Sequence, residues 1–253
     1  MYAEERKQAI ADLARDEGRV DVAELAARFG ITAETVRRDL TQLEARGVLR
    51  RVHGGAIPVE RFRSEPGVSE RAQRQAAEKT RIAKAALAYV PQGGSVLLDA
   101  GTTTGALATL LPDTRELTVV TNALPIALTL AARPNLDVLV VGGRLRGRTL
   151  ADVGDWAVRT LRDLSVDVAF VATNGLSVDG GLSTPDSAEA AAKRAMVAAG
   201  RQVVVLADHT KVGEQHFERF AGIDDVDVLV TDSGLAPDEV GRFEAAGVEV
   251  VLA

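Results

Sequence analysis

From Gly93 onward, short apolar runs alternate with helical segments, and this alternation constrains the fold more than any other feature of the chain. The runs at 95–99, 117–121, 136–141, 166–171, 202–206, 226–231 and 248–252 are rich in Val and Leu. Runs this short read as strands. Near-continuous apolar strands separated by helices belong to a mostly parallel sheet covered on both faces. The expected class for this region is α/β.

The first 57 residues follow a different period. Helices fit 4–16, 21–29 and 33–46, with Asp21 and Thr32 as N-caps and Gly18, Gly30 and Gly47 as stops. In the third helix Val36, Leu40 and Leu43 form a single apolar stripe. Residues 48–57 read as a two-stranded ribbon turning at Gly54-Gly55. Helix, turn, helix and ribbon make a winged helix-turn-helix. The expected boundaries are 1–57 for this head, 58–68 for a linker holding Pro58 and Pro66, and 69–253 for the α/β domain. A long amphipathic helix over about 69–90 would open that larger domain.

The net charge of −6 is unevenly placed. Residues 1–57 hold ten Lys/Arg and ten Asp/Glu, whereas 58–253 hold twenty and twenty-six. Within 35–63 seven arginines face three acids. Phosphate attraction follows the local field, so the acidic total does not exclude DNA. With the stripe of the third helix turned inward, Arg38, Thr41 and Gln42 fall on the opposite face, flanked by Thr35 and Arg37. Arginine forks onto guanine or phosphate, and threonine and glutamine read other base edges. The ribbon adds Arg50, Arg51 and His53 at the height of the phosphate backbone. On periodicity alone, a three-helix bundle with a solvated basic face fits equally well, and His53 fits a packed ring as well as a phosphate contact.

In the α/β region the most informative loop is 98–105, which leaves a strand and enters a helix. Gly101 lets amides converge at the helix start, and Thr102, Thr103 and Thr104 add hydroxyls, a combination suited to phosphate. Asp99, which would repel a phosphate, is expected to order loop amides or accept a ligand hydroxyl. A plain strand-to-helix turn with a threonine cap fits the same residues. In parallel sheets ligands collect at the carboxyl ends of strands. The other strand ends place Asn122, Gly143, Arg144, Asn174, Gly175, Asp208 and Lys211 on that rim. Glu189 and Lys193, four apart on a helix, fit either a site or a surface ion pair worth about 0.3 kcal/mol.

Other classes have little support. The chain has no cysteine, hence no disulfide or thiolate metal site. Asp208, His209 and His216 are too loosely spaced for a metal site. Residues 142–147 do not spell G-x-G-x-x-G and no G-x-x-x-x-G-K-[ST] occurs, so no nucleotide cofactor is expected. No apolar run reaches the roughly 18 residues of a membrane span, and the charged start lacks a signal-peptide core. A cytoplasmic protein without cofactor, metal or membrane partner is expected.

The runs Ile31-Thr-Ala-Glu-Thr-Val-Arg-Arg-Asp-Leu40 and Arg51-Val-His-Gly-Gly-Ala56 resemble the head of DeoR-type repressors. The resemblance continues through the 99–104 loop, Val120-Thr-Asn122, Val141-Gly-Gly-Arg144, Gly154, Gly175 to Gly181, Glu189 to Lys193 and Leu206-Ala-Asp-His-Thr-Lys211. It implies a DNA-binding repressor whose larger domain folds like ribose-5-phosphate isomerase and senses a sugar phosphate. The stretch 181–195 looks most like repressors of fructose-utilisation operons, which points to fructose 1-phosphate. The implied partners are double-stranded operator DNA and a sugar-phosphate effector. Paired heads on paired half-sites imply a homodimer or homotetramer. A rival reading is an active sugar-phosphate isomerase with a DNA-binding head, using Glu189, Asp208 and Lys211 as acid–base groups.

Overall fold

The structure is a computed structural model that describes residues 3–45, 48–52, 54–58 and 67–253. The chain divides into two compact units, Met1–Glu65 and Pro66–Ala253.

The first unit runs α1 (Ala3–Glu17), β1 (Val20–Asp21), α2 (Val22–Phe29), α3 (Ala33–Ala45), β2 (Leu49–Val52) and β3 (Gly55–Pro58). Its helix boundaries follow the expected chemistry. Asp21 caps α2 by accepting the Ala23 N–H at 2.8 Å, and Gly30 ends it in the left-handed region at φ 63°. The Thr32 hydroxyl accepts the Thr35 N–H at 3.2 Å. Ile10, Val36 and Leu40 are fully buried, with Leu25, Leu43 and Leu49 around them. The ribbon has three strands rather than the expected two, in the order β1-β3-β2. The added strand is two residues long, too short to show a period. Val20 pairs with Ala56, and a Cβ on Gly55 would lie 2.0 Å from the Val20 carbonyl oxygen, so only glycine fits there. Gly47, the expected stop of α3, and His53 lie outside the described residues.

The second unit opens with α4 (Val68–Gln73) and α5 (Ala76–Ala86), then a 3-10 turn at Leu87–Tyr89. The single helix expected over 69–90 is therefore broken. Gln75 sits at the break in the left-handed region, φ 51°. No glycine or proline marks this point in the sequence.

Next come β4 (Gly94–Leu98), α6 (Thr102–Leu110), β5 (Leu117–Thr121), α7 (Leu124–Leu130), β6 (Leu136–Val140), β7 (Arg144–Arg146), β8 (Ala151–Val153) and α8 (Asp155–Arg162). They are followed by β9 (Val166–Ala172), β10 (Gly175–Ser177), β11 (Gly181–Thr184), α9 (Ser187–Ala199), β12 (Gly200–Leu206), β13 (Glu218–Ala221), β14 (Val228–Thr231), α10 (Pro237–Ala245) and β15 (Glu249–Leu252).

All seven expected strands join one parallel sheet in the order β15-β14-β12-β9-β4-β5-β6. Alternate residues feed two cores. Val96, Leu98, Val168, Phe170, Val204 and Val228 pack with Ile82 of α5, Leu107 of α6 and Ile126 of α7. Leu97, Ala169, Val171, Val203 and Leu229 pack with Leu161 of α8, Met196 of α9 and Phe243 of α10. Double-sided burial explains why the strands read as continuous apolar runs. The hairpin β7–β8 and the small antiparallel sheet β10-β11-β13 escaped the sequence reading, because their strands have only three or four residues.

From β4 the chain winds outward through β5 to β6, then returns to β9 on the other side of β4. Order reverses between β4 and β9, the place in a parallel sheet where ligands tend to collect.

Candidate functional site

In the first unit α3 presents a polar outer face. Arg37, Arg38, Thr41 and Gln42 are exposed and Thr35 is half-buried, opposite the buried Val36 and Leu40. Several of these side chains already have protein partners. Thr41 Oγ1 donates to the Arg37 carbonyl at 2.9 Å and accepts from Arg51 Nη1 at 3.2 Å. Gln42 Oε1 accepts from Lys7 Nζ at 2.7 Å, and Arg37 reaches Glu34 at 3.5 Å. The Thr35 hydroxyl bonds that of Thr32 at 2.9 Å. Arg51 also donates its backbone N–H to Glu44 at 2.9 Å, which fixes the ribbon beside α3. Beneath this face Asp39 is buried against Arg6 Nε at 2.7 Å, and the hydrogen bond to Asp39 raises the Arg6 pKa. Arg38 and Arg50 stay exposed.

In the second unit the rim gathers around Asp99, directly after β4. Asp99 is almost wholly buried, accepts the Ala172 N–H at 3.0 Å and pairs with the Lys193 ammonium from α9. Lys193 also donates to the Ala172 carbonyl at 2.8 Å. Burial pushes the Asp99 carboxyl pKa up, and Lys193 and the Ala172 amide only partly offset this. Asp99 thus ties β4 to β9 and α9.

Gly101 caps α6 from extended backbone, so size rather than dihedral demands glycine. An added Cβ would lie 2.7 Å from Ala172 Cβ and 2.9 Å from Thr104 Oγ1. No side chain caps α6, so its first-turn amides lack a capping acceptor. The threonine cap weighed from the sequence is therefore absent. Of the three hydroxyls, that of Thr104 is fully buried and donates to the carbonyls of Asp99 at 2.7 Å and Gly101 at 3.0 Å. Its proton is thus engaged within the loop. Thr102 is half-buried and Thr103 more deeply so.

The remaining candidates divide between support and surface. Asn122 is buried, accepts the Ala100 N–H at 2.9 Å and donates to the Asp152 carbonyl at 3.2 Å, so it shapes the loop from behind. Glu189 is also buried. It holds Arg146 at 3.2 Å and the Thr149 hydroxyl, so the surface pairing with Lys193 does not form. Asn174 Oδ1 accepts from Thr184 at 3.1 Å, and Gly175 packs so closely that a Cβ would meet the Glu214 carbonyl oxygen at 2.3 Å. Asp208 caps the 3-10 turn His209–Lys211, accepting from Thr210, and leaves Lys211 half-buried at the rim. Gly143 and Arg144 lie past the end of β6, two strands from β4 or about 10 Å away. There they line a separate shallow cleft of about 500 Å³ with Val153 and Trp156.

The sequence reading missed Arg146, Thr149 and the pair His209–Asp232. Asp232 accepts the N–H groups of His209 at 2.9 Å and Gly234 at 3.0 Å and meets His209 Nδ1 at 2.7 Å. Burial raises its pKa, but these bonds outweigh burial and hold it below the ordinary carboxylate range. A signal existed: Asp99, Asp208 and Asp232 each follow the last apolar residues of a strand run. Among the described residues no His/Asp/Glu group has the arrangement to hold a metal ion, and no helix is long and apolar enough to cross a membrane.

Residues 6–62 match the family model of the DeoR-like helix-turn-helix domain, and residues 74–233 match that of the DeoR C terminal sensor domain. YulB of Bacillus subtilis, an uncharacterized HTH-type transcriptional regulator, is 37% identical across 99% of this chain and 96% of its own. The transcriptional repressor AccR of Agrobacterium fabrum is 36% identical across 91% of this chain and 90% of its own. Among solved structures, ribose 5-phosphate isomerase from Methanocaldococcus jannaschii aligns over 55% of each chain with a TM-score of 0.41 at 14% identity.

Proposed function

The chain belongs to the DeoR family of DNA-binding, sugar-responsive transcriptional repressors, and from that premise we propose that it controls a sugar-utilisation operon and answers to a phosphorylated sugar. The observation that carries the effector reading is the uncapped start of α6. It lies where strand order reverses, and the half-buried Lys211 follows β12, two strands away on the same rim. Backbone N–H groups at a helix start suit a phosphate. Thr102, Thr103 and Lys211 are its proposed contacts, while Asp99, Thr104, Asn122 and Asp208 hold the loops.

In this reading residues 1–57 grip the operator, 58–68 connect, and 69–253 sense. Arg38 reads the major groove from α3, and Arg50 and Arg51 meet phosphates. The protein acts in the cytoplasm as a homodimer or homotetramer, a state that light scattering measures directly. Effector binding shifts the heads from operator-competent spacing. A coupling of about 1–3 kcal/mol changes operator affinity roughly 5- to 150-fold.

Catalysis is not part of the proposal. The carboxylates an isomerase would use are occupied, Glu189 by Arg146 and Thr149, Asp208 by Thr210. Turnover of pentose or hexose phosphates, abolished by Glu189→Gln, would reverse that view.

The test is a thermal-shift series with phosphorylated sugars against their free sugars, followed by operator binding with and without the hit. The similarity of 181–195 to fructose-operon repressors makes fructose 1-phosphate the first compound. A protein stabilised equally by free and phosphorylated sugars does not use a phosphate site at α6.

A further inference from the structure

The edge of the large sheet at β6 is open. β5 pairs with one side of β6 and α7 packs on one face of it. Among the described residues no strand pairs with its other side. An open edge presents unpaired N–H and C=O groups, which proteins guard with lysine, proline, a bulge or a covering element. β6 reads Leu136-Asp-Val-Leu-Val140, with neither lysine nor proline, and pairs with β5 in unbroken register. Asp137 is its single charge. At the far edge of the sheet, by contrast, the Tyr89 hydroxyl holds Glu249 of β15, and Arg81 Nε donates to the Ala253 carbonyl at 3.3 Å.

Exposed apolar surface gathers around the β6 edge. Eight large hydrophobic side chains are exposed among the described residues, and six of them lie here. They are Leu124 and Leu128 on α7, Leu139 and Val140 on β6, Leu145 on β7 and Trp156 on α8. Leu128 and Trp156 are each 70% exposed. α7 covers one face of the sheet and α8 the other, so the patch wraps the edge from both sides. Its parts are joined. The Leu124 N–H donates to the Leu150 carbonyl in the turn of the β7–β8 hairpin at 3.0 Å. Trp156 shares a shallow cleft with Val141, Gly142 and Gly143, just past β6. Contiguous apolar surface rimmed by polar groups marks an interaction site.

The charges on this surface select the partner. Arg144 with Asp155, and Arg159 with Asp163, border the clefts around Trp156. All four are exposed, and none has an ion-pair partner among the described residues. A two-fold axis sets a patch against itself, so the patch must carry both signs to match. A polyanion would instead call for arginines alone. We propose that two copies of this chain join edge to edge, with β6 antiparallel to β6 of the second copy about a two-fold axis through Val138. This register sets Asp137 opposite Leu139 and Leu136 opposite Val140, so the two aspartates do not oppose each other. Leu128 and Trp156 then flank the seam, one on each face, and the sheet runs on from one copy into the next. The inference rests on the homo-oligomer proposed above and gives it a surface.

Light scattering and sedimentation of the full chain over a dilution series test the surface. Leu128→Glu, Val140→Lys and Trp156→Glu alter exposed positions, and circular dichroism confirms that each variant is folded. Each should raise the dissociation constant about tenfold or more, taking a dimer to monomers or a tetramer to dimers. Leu252→Glu, at the far edge, should assemble like the parent. Cross-linking tests the register. The chain has no cysteine, so Leu139→Cys supplies a single thiol. In the proposed pairing its two copies lie diagonally about 7–8 Å apart, within reach of a short bis-maleimide. That reagent should join them, and should leave Leu252→Cys unjoined. Parent-like assembly in all three charge variants, or dissociation by Leu252→Glu alone, overturns the surface while the oligomer stands. Dissociation by the charge variants with no cross-link at position 139 overturns the strand pairing. A parent that is monomeric at every concentration overturns both the surface and the oligomer.

Discussion

Lys193 bonds Asp99 across the end of β9 and leaves Glu189, one turn earlier on the same helix, to Arg146 and Thr149. Two neighbouring charges on α9 thus serve different loops, one after β4 and the other in the β7–β8 hairpin. The side chains of Lys193 and Asp99 are 5% and 1% exposed, so neither has water to fall back on.

Breaking that pair should be costly. Lys193→Met leaves a buried carboxylate without its cation, and the expected loss is about 3–5 kcal/mol in urea unfolding. Adding Asp99→Leu should recover most of it, because replacing a whole buried pair by apolar groups is often neutral. A loss below about 1 kcal/mol for the single variant would mean that Asp99 is neutral in the folded protein.

The seven central strands were legible because burial on both faces makes each a compact Val/Leu run. The caps of α2 and α3 were legible because Asp21, Gly30 and Thr32 announce themselves locally. The break at Gln75 was not, since no glycine or proline marks it and a non-glycine residue takes the left-handed region there. The roles within the rim were also hidden. Thr102, Thr103 and Thr104 look equivalent in the sequence, yet only the folded loop turns the Thr104 hydroxyl inward. The i, i+4 spacing of Glu189 and Lys193 suggested mutual pairing, and distant residues outcompeted it.

Asp232 makes stability depend on pH. Its folded pKa lies below the ordinary value of about 3.9, so its contribution is present above that value and lost as pH falls through the folded pKa. Asp232→Asn should therefore be about 1–3 kcal/mol less stable than the parent at pH 7. The gap should narrow as pH drops below about 4. Urea titrations at pH 7 and pH 3 measure this, and a gap of the same size at both would contradict it.

At Gly101 the constraint is a neighbour. Gly101→Ala should cost about 1–3 kcal/mol through its clash with Ala172. Pairing it with Ala172→Gly removes one offending atom. A double-mutant cycle should show a favourable coupling of about 0.5 kcal/mol or more. Strict additivity would place the strain elsewhere in the loop.

On the operator side, Arg38→Ala should weaken binding by about 1–3 kcal/mol if the guanidinium reads a base, or lower the salt slope by about one if it meets a phosphate. Fluorescence anisotropy over a range of salt separates the two outcomes. The sugar-phosphate thermal shift should persist in this variant. Parent-like affinity and slope would remove Arg38 from the interface.

The reversal of strand order between β4 and β9 has a consequence for how such a sensor changes its chemical taste. The ends of β4 and β9 meet beside Asp99 because successive connections depart to opposite sides, so that junction would remain even if every polar group around it were exchanged. If the proposed effector docks there, mutation can retune which metabolite is welcomed without relocating it, and the address belongs to the path of the backbone.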